Sequence, residues 1–203
     1  MKSLNRLLDD SPSPFKVDYK NENAIEQLSQ HLAERLGTNP VEQDVVILCI
    51  GTDRSTGDSL GPLVGTKLHA LFPDQYYVYG TLESPVHAMN LTEKIEEIRL
   101  KHRNPLIIAI DACLGQFSNV GSINVIDGPL KPGAGVKKEL PAVGTFHITG
   151  IVNVGGFMEY FVLQNTRLYI VMQMAEIIAA GIHNGARFGT RERSVHGSRA
   201  IEG

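Results

Sequence analysis

Three apolar runs in the first half of the chain leave little choice of architecture. Asp44–Ile50 reads DVVILCI, Tyr76–Leu82 reads YYVYGTL and Pro105–Asp111 reads PLIIAID. The first and third are apolar at nearly every position, the pattern of a strand covered on both faces. Segments with helical spacing separate them: PLVGTKLHALF follows the first run and HAMNLTEKIEEIRLKH the second. Strand, helix, strand, helix, strand predicts an α/β domain with three α/β/α layers around a mostly parallel, twisted sheet.

The rest of the chain fits around this unit. Residues 1–20 are polar, carry two prolines and read as a flexible N-terminal arm. Ile25, Leu28, Leu32 and Leu36 recur at helical spacing in residues 22–36, with Gly37 and Pro40 as stop signals. GSINVID alternates and predicts a fourth strand, while the Gly- and Pro-rich residues 128–144 read as a long surface loop. Residues 150–164 fit neither period. A last helix starts at Thr166 and runs through Ile178, with Gly181 as its stop, and residues 184–203 read as a flexible tail. The domain is therefore expected over residues 21–183.

Hydrophobic residues make up 42% of the 203 and charged residues 20%, enough to build a sizeable core. The net charge of −3 mixes both signs along the chain, which argues against a nucleic-acid or membrane partner. The apolar runs are too short to cross a bilayer, and no leader-like segment opens the sequence. Two cysteines, Cys49 and Cys113, each near the end of an apolar run, suit buried thiols in a reducing compartment and a cytoplasmic location.

The segment CIGTDRSTGDSLGPLVG, Cys49 to Gly65, leaves the first strand and enters a helix. Ligands in open α/β sheets bind at the carboxyl ends of the strands, where this turn lies. It lacks the G-x-x-x-x-G-K-[ST] spacing of a phosphate loop, and it carries Asp58 where a phosphate loop carries Lys. A carboxylate there repels an anion, which argues against a small-anion or nucleotide site. Pro62 suits a first helical position, making Gly61 the cap and leaving Asp58 in the loop before it.

A second carboxylate, Asp111, closes PLIIAID. If the two strands are parallel, Asp58 and Asp111 share one edge of the sheet. Two such carboxylates can share a proton and activate water, can hold a divalent metal ion, or can each be satisfied separately by backbone amides. Glu83 and His87 follow the second strand and fall at the same edge; Glu83 can line the crevice and support the site or serve as a helix-start carboxylate, and nothing independent supports a role for His87. Cys113 stands two residues beyond Asp111, where neighbouring carboxylates oppose thiolate formation. His147, in FHITG, reads as structural on spacing alone. Lys137 and Lys138 lie in the long loop, which can act as a flap over the site or stay solvated.

IGTDRSTGDSLGPLVG and IIAIDACLG resemble the phosphorylase/hydrolase-like superfamily that holds the spore germination protease and the hydrogenase maturation endopeptidases. GTDRSTGDSLGPLVGTKL, PGAGVKKELP, ITGIVNVGGFMEY and VLQNTRL resemble, more closely and over residues 20–183, the YyaC family of sporulation proteins from spore-forming Firmicutes. The germination protease pattern implies that Asp58 and Asp111 are its two essential aspartates and that Thr56 supports the first. Thr52 stands where that pattern has Asn, and Gly57 where it has Pro. The hydrogenase-maturation pattern implies a divalent metal ion on Asp58, Asp111 and His147, or His147 as a proton carrier. The resemblance thus implies a peptidase acting on a protein or peptide substrate in the cytoplasm of a sporulating cell or forespore. The other reading is a catalytically inactive sporulation factor that binds a peptide or protein partner in the same crevice.

Overall fold

A computed structural model describes residues 15–40, 42–71, 74–132 and 140–199, with side chains described as far as residue 188. Six strands form one sheet: β1 (Phe15–Asp18), β2 (Val45–Cys49), β3 (Tyr77–Tyr79), β4 (Leu106–Gly115), β5 (Ser122–Asp127) and β6 (Phe146–Val154). Their order is β1-β5-β6-β4-β2-β3. The central pairs β6–β4–β2–β3 are parallel, and β5 and β1 add an antiparallel margin. The helices are α1 (Ala24–Gly37), α2 (Leu60–Ala70), α3 (Leu91–Lys101), α4 (Glu159–Gln164) and α5 (Leu168–Arg199).

Two apolar cores show the three layers. Val45, Ile47 and Cys49 of β2 and Ile108 and Ile110 of β4 face α1, α2 and α5. Val46 and Leu48 of β2 and Ala109 of β4 face the opposite way, onto Leu91, Ile95 and Ile98 of α3. A strand buried on both faces cannot alternate, which is why these runs read as continuous apolar stretches.

The structure corrects the sequence reading at both ends. Phe15–Asp18, assigned above to a flexible arm, form β1 beside β5, with Phe15 opposite Val125 and Asp18 opposite Ser122. Four residues with one buried apolar side chain, Val17, are too short for a periodic signal. Residues 1–14 lie outside the described residues. The last helix does not stop at Gly181 but continues to Arg199, through much of the stretch read as a tail. Gly181 and Gly185 serve a different purpose: a Cβ there would lie 2.6 Å from Leu28 Cδ2 and 2.8 Å from Leu32 Cβ, respectively. They let α5 press against α1. Substituting Gly185 by Ala tests this. Helix propensity alone favours alanine by about 1 kcal/mol. The new methyl would also stand 3.0 Å from the Ser29 carbonyl oxygen, and overpacking of this kind costs ~1–3 kcal/mol. A net loss of stability in urea unfolding is expected; a gain would mean that the helices are not held this close.

Two further differences bear on the site. β4 does not end at Asp111 but runs to Gly115, with Asp111 paired to Thr149 of β6. Helix α2 begins at Leu60, ahead of Pro62, so Gly61 is not its cap. Lys137 and Lys138, with the rest of residues 133–139, lie outside the described residues.

Candidate functional site

After Ile50 the chain doubles back tightly. Gly51 adopts φ +148°, and a Cβ on it would sit 2.0 Å from the Asp58 carbonyl oxygen. Only glycine fits that approach. The backbone N–H of Thr52 donates to the same carbonyl at 3.1 Å, closing the loop. Asp58 lies in a single 3₁₀ turn, Gly57–Ser59, that leads into α2. Ser59 pins this turn from within, donating its backbone N–H to Ser55 O at 3.0 Å and its hydroxyl to Thr56 O at 2.7 Å. Thr52 Oγ1 accepts the Arg54 N–H at 3.3 Å. The contribution of Thr52 and Thr56 here is therefore to hold the turn's backbone.

The turn presents Asp58 toward β4, where Asp111 waits. The backbone N–H of Ala112 donates to Asp111 Oδ1 at 2.8 Å. Part of the Asp111 surface stays open to solvent, yet its carboxyl is crowded by protein atoms. That burial pushes its pKa up to about 8, the Ala112 N–H opposes the rise, and the charge of Asp58 adds to it. Asp58 is also held above its ordinary value, chiefly by burial, while the Ser55 hydroxyl beside it favours the ionised form. Ser55 Oγ is buried and meets no partner at full hydrogen-bond geometry, though it lies near enough to the Asp58 carboxyl to favour its ionised form. Ser55 was not singled out from the sequence, where it is one small polar residue among several.

The two carboxyls form an electrostatic pair. Both are held above the ordinary aspartate range, Asp111 up to about 8, and the charge of Asp58 contributes to the rise at Asp111.

His147 is less directly placed. It lies opposite Ala109 on β4, two residues before Thr149, the partner of Asp111. Alternation puts it on the Asp111 face of the sheet but about 7 Å further back along the strand. Its Nδ1 lies 2.9 Å from Gly128 O. A carbonyl only accepts, so Nδ1 carries a proton. Among the described residues no group of three or more His, Cys, Asp or Glu side chains is arranged to hold a metal ion. The set Asp58, Asp111 and His147 therefore does not fit a three-ligand divalent site as it stands.

The other candidates take different roles. Glu83 is exposed and lines a groove of about 430 Å³ between α2, the end of β3 and α3, which neither aspartate lines. His87 serves its own turn, its Nδ1 accepting the Met89 N–H at 3.3 Å. Both cysteines are free thiols; Cys49 is buried, while Cys113 is only half-buried. Burial raises both thiol pKa values, and at Cys113 the Thr149 hydroxyl opposes and the Asp111 charge reinforces the rise. Neither is poised as a nucleophile.

A three-layer α/β domain with two electrostatically coupled aspartates, one on a glycine-tightened turn and one on a central strand, is the class these features define. The chain belongs to the family described as Protein of unknown function (DUF1256), whose model matches residues 16–181. It is 51% identical over 187 residues to "Uncharacterized protein YyaC" of Bacillus subtilis (strain 168), covering 92% of this chain and 91% of that one. The YyaC resemblance drawn from the sequence motifs thus holds along the whole domain. Among solved structures, a NiFe hydrogenase maturation protease, HycI, from Thermococcus kodakarensis KOD1 overlaps 73% of this chain and 97% of its own, with 17% identity and a TM-score of 0.45.

Proposed function

We propose that this protein is a peptidase-like hydrolase in which Asp58 is the general base and Asp111 the general acid. One observation supports the reading: the turn ahead of α2 brings Asp58 within electrostatic reach of Asp111 on β4, and burial holds both carboxyls above the ordinary aspartate range, Asp111 up to about 8, where a carboxyl can serve as an acid at neutral pH. Asp58 takes a proton from water as its oxygen attacks the peptide carbonyl carbon. Asp111 gives its proton to the carbonyl oxygen, forming a neutral tetrahedral intermediate. On collapse the C–N bond breaks, the leaving nitrogen takes the proton from Asp58, and a hydroxyl of the intermediate returns one to Asp111. Both residues end as they began. No step calls on His147 or on a metal ion.

The substrate in this proposal is a protein or peptide, and the YyaC-type motifs support a role in the cytoplasm of a sporulating cell or forespore. Among the described residues no helix is long and apolar enough to cross a membrane. New protein N-termini would be compared in sporulating cells carrying wild type or Asp111→Asn at matched abundance. A set of termini that vanishes in the variant is expected, and their flanking sequences would define the specificity. If no termini change, the site binds a partner without cleaving it, and the inactive-factor reading takes over.

A further inference from the structure

Large apolar side chains are exposed along one stretch of this chain, between the end of β6 and the second turn of α5. Phe157 is 81% exposed, Tyr160 61%, Phe161 53%, Leu168 56% and Tyr169 59%. Phe157, Tyr160 and Phe161 recur at helical spacing on and just before α4, and Leu168 and Tyr169 open α5. Within residues 154–172 only Glu159 and Arg167 are charged. Scattered apolar residues are normal on a surface; a concentrated patch of aromatics marks a contact site.

The patch adjoins the carboxylate pair. A Cβ on Gly57, the residue before Asp58, would lie 2.7 Å from Leu163 Cδ2 and 3.0 Å from the Leu163 carbonyl oxygen. α4 therefore lies directly on the turn that holds Asp58. None of its residues is fully buried. Leu163, packed at the edge of the core, is its inward anchor, so Phe157, Tyr160 and Phe161 are left for something else. Met158 enters α4 with φ +49°, a left-handed conformation that a bulky side chain adopts at a cost. Asn153 supports the far side, donating from Nδ2 to Thr166 Oγ1 at 3.2 Å. α4 is thus held at a fixed angle with its aromatics outward.

We infer that this face is the docking surface for an uncharged, apolar stretch of an unfolded or extended polypeptide: the substrate of the reaction above. The inference rests on that reading of Asp58 and Asp111. Position argues for this occupant: α4, which carries Tyr160 and Phe161, packs through Leu163 on the turn that holds Asp58. The few charges in the stretch favour a partner recognised by apolar side chains rather than by ion pairs.

The test uses the full-length chain carrying Asp111→Asn, so that nothing is cleaved. The probe is reduced, carboxymethylated α-lactalbumin, an unfolded polypeptide with several apolar segments, and binding is followed by fluorescence anisotropy. Adding Tyr160→Ser with Phe161→Ser is expected to weaken binding at least tenfold. Leu100→Ser, at an 88% exposed position on α3, is expected to leave it unchanged. Thermal unfolding checks that the variants fold; Phe157→Ser alone replaces the double change if it does not. The proposal is overturned if the Asp111→Asn chain does not bind the probe, or if the α4 variants bind it equally well. It is overturned in favour of self-association if sedimentation shows a dimer that the α4 changes dissolve. Because binding is read without hydrolysis, a loss of docking and an absence of cleavage are separate results.

Discussion

Asp111→Asn is expected to make the protein more stable at pH 7–8 and to flatten the dependence of stability on pH between 4 and 8. The native pKa of Asp111 is about 8, against ~3.9 in an unfolded chain. Between those values the folded protein keeps a proton that the unfolded chain releases. Stability therefore falls as pH rises through this window, being fully present below the unfolded pKa and lost once pH passes the native one. Four units at ~1.4 kcal/mol each set an upper limit of ~6 kcal/mol. Asp111 keeps part of its surface open to water, so a gain of about 2–4 kcal/mol for the amide at pH 8 is the working figure. That is large against the 5–15 kcal/mol that holds a typical domain together. The amide oxygen can still accept the Ala112 N–H, so the substitution removes the charge without orphaning its partner. Urea midpoints at pH 4, 6 and 8 give the answer. Parallel pH slopes for wild type and variant would mean that Asp111 titrates normally and the proton is not held.

The sequence disclosed the sheet far better than it disclosed the site's surroundings. Val46, Leu48 and Ala109 face one core and Ile47, Ile108 and Ile110 the other, and double burial writes itself into composition without any partner being known. Asp58 and Asp111 were visible because an acidic residue beside a buried strand has no structural need to be there. What the sequence could not supply was contact across the fold. Gly181 reads as a helix stop by local rules; its role against Leu28 depends on how α1 and α5 pack, which no local rule contains. The same holds for Gly57, whose missing side chain makes room for Leu163 of α4. β1 was lost because its four residues pair with β5, more than a hundred positions away. Asp111 was placed at a strand end because the apolar run stops there. Hydrogen bonding to β6 carries β4 on to Gly115, and backbone pairing of that kind leaves little trace in side-chain pattern.

In a cleavage assay on a substrate found by the comparison of N-termini, Asp58→Asn and Asp111→Asn are each expected to lower the rate by about 10²–10⁴, the usual contribution of a positioned acid or base. The double variant should lose little more than the worse single, because a base without its acid completes no turnover. The pH profile distinguishes the two roles. Activity of the wild type should decline as pH climbs past about 8, where Asp111 gives up its proton. It should decline in acid as Asp58 takes one up, at a pH above the ordinary aspartate range because burial holds its pKa high. In residual activity of Asp111→Asn the alkaline limb should vanish while the acid limb stays; in Asp58→Asn the acid limb should go instead. Losses that simply multiply in the double variant, or limbs that survive both substitutions, would mean that the two carboxyls act apart and that another group supplies the proton.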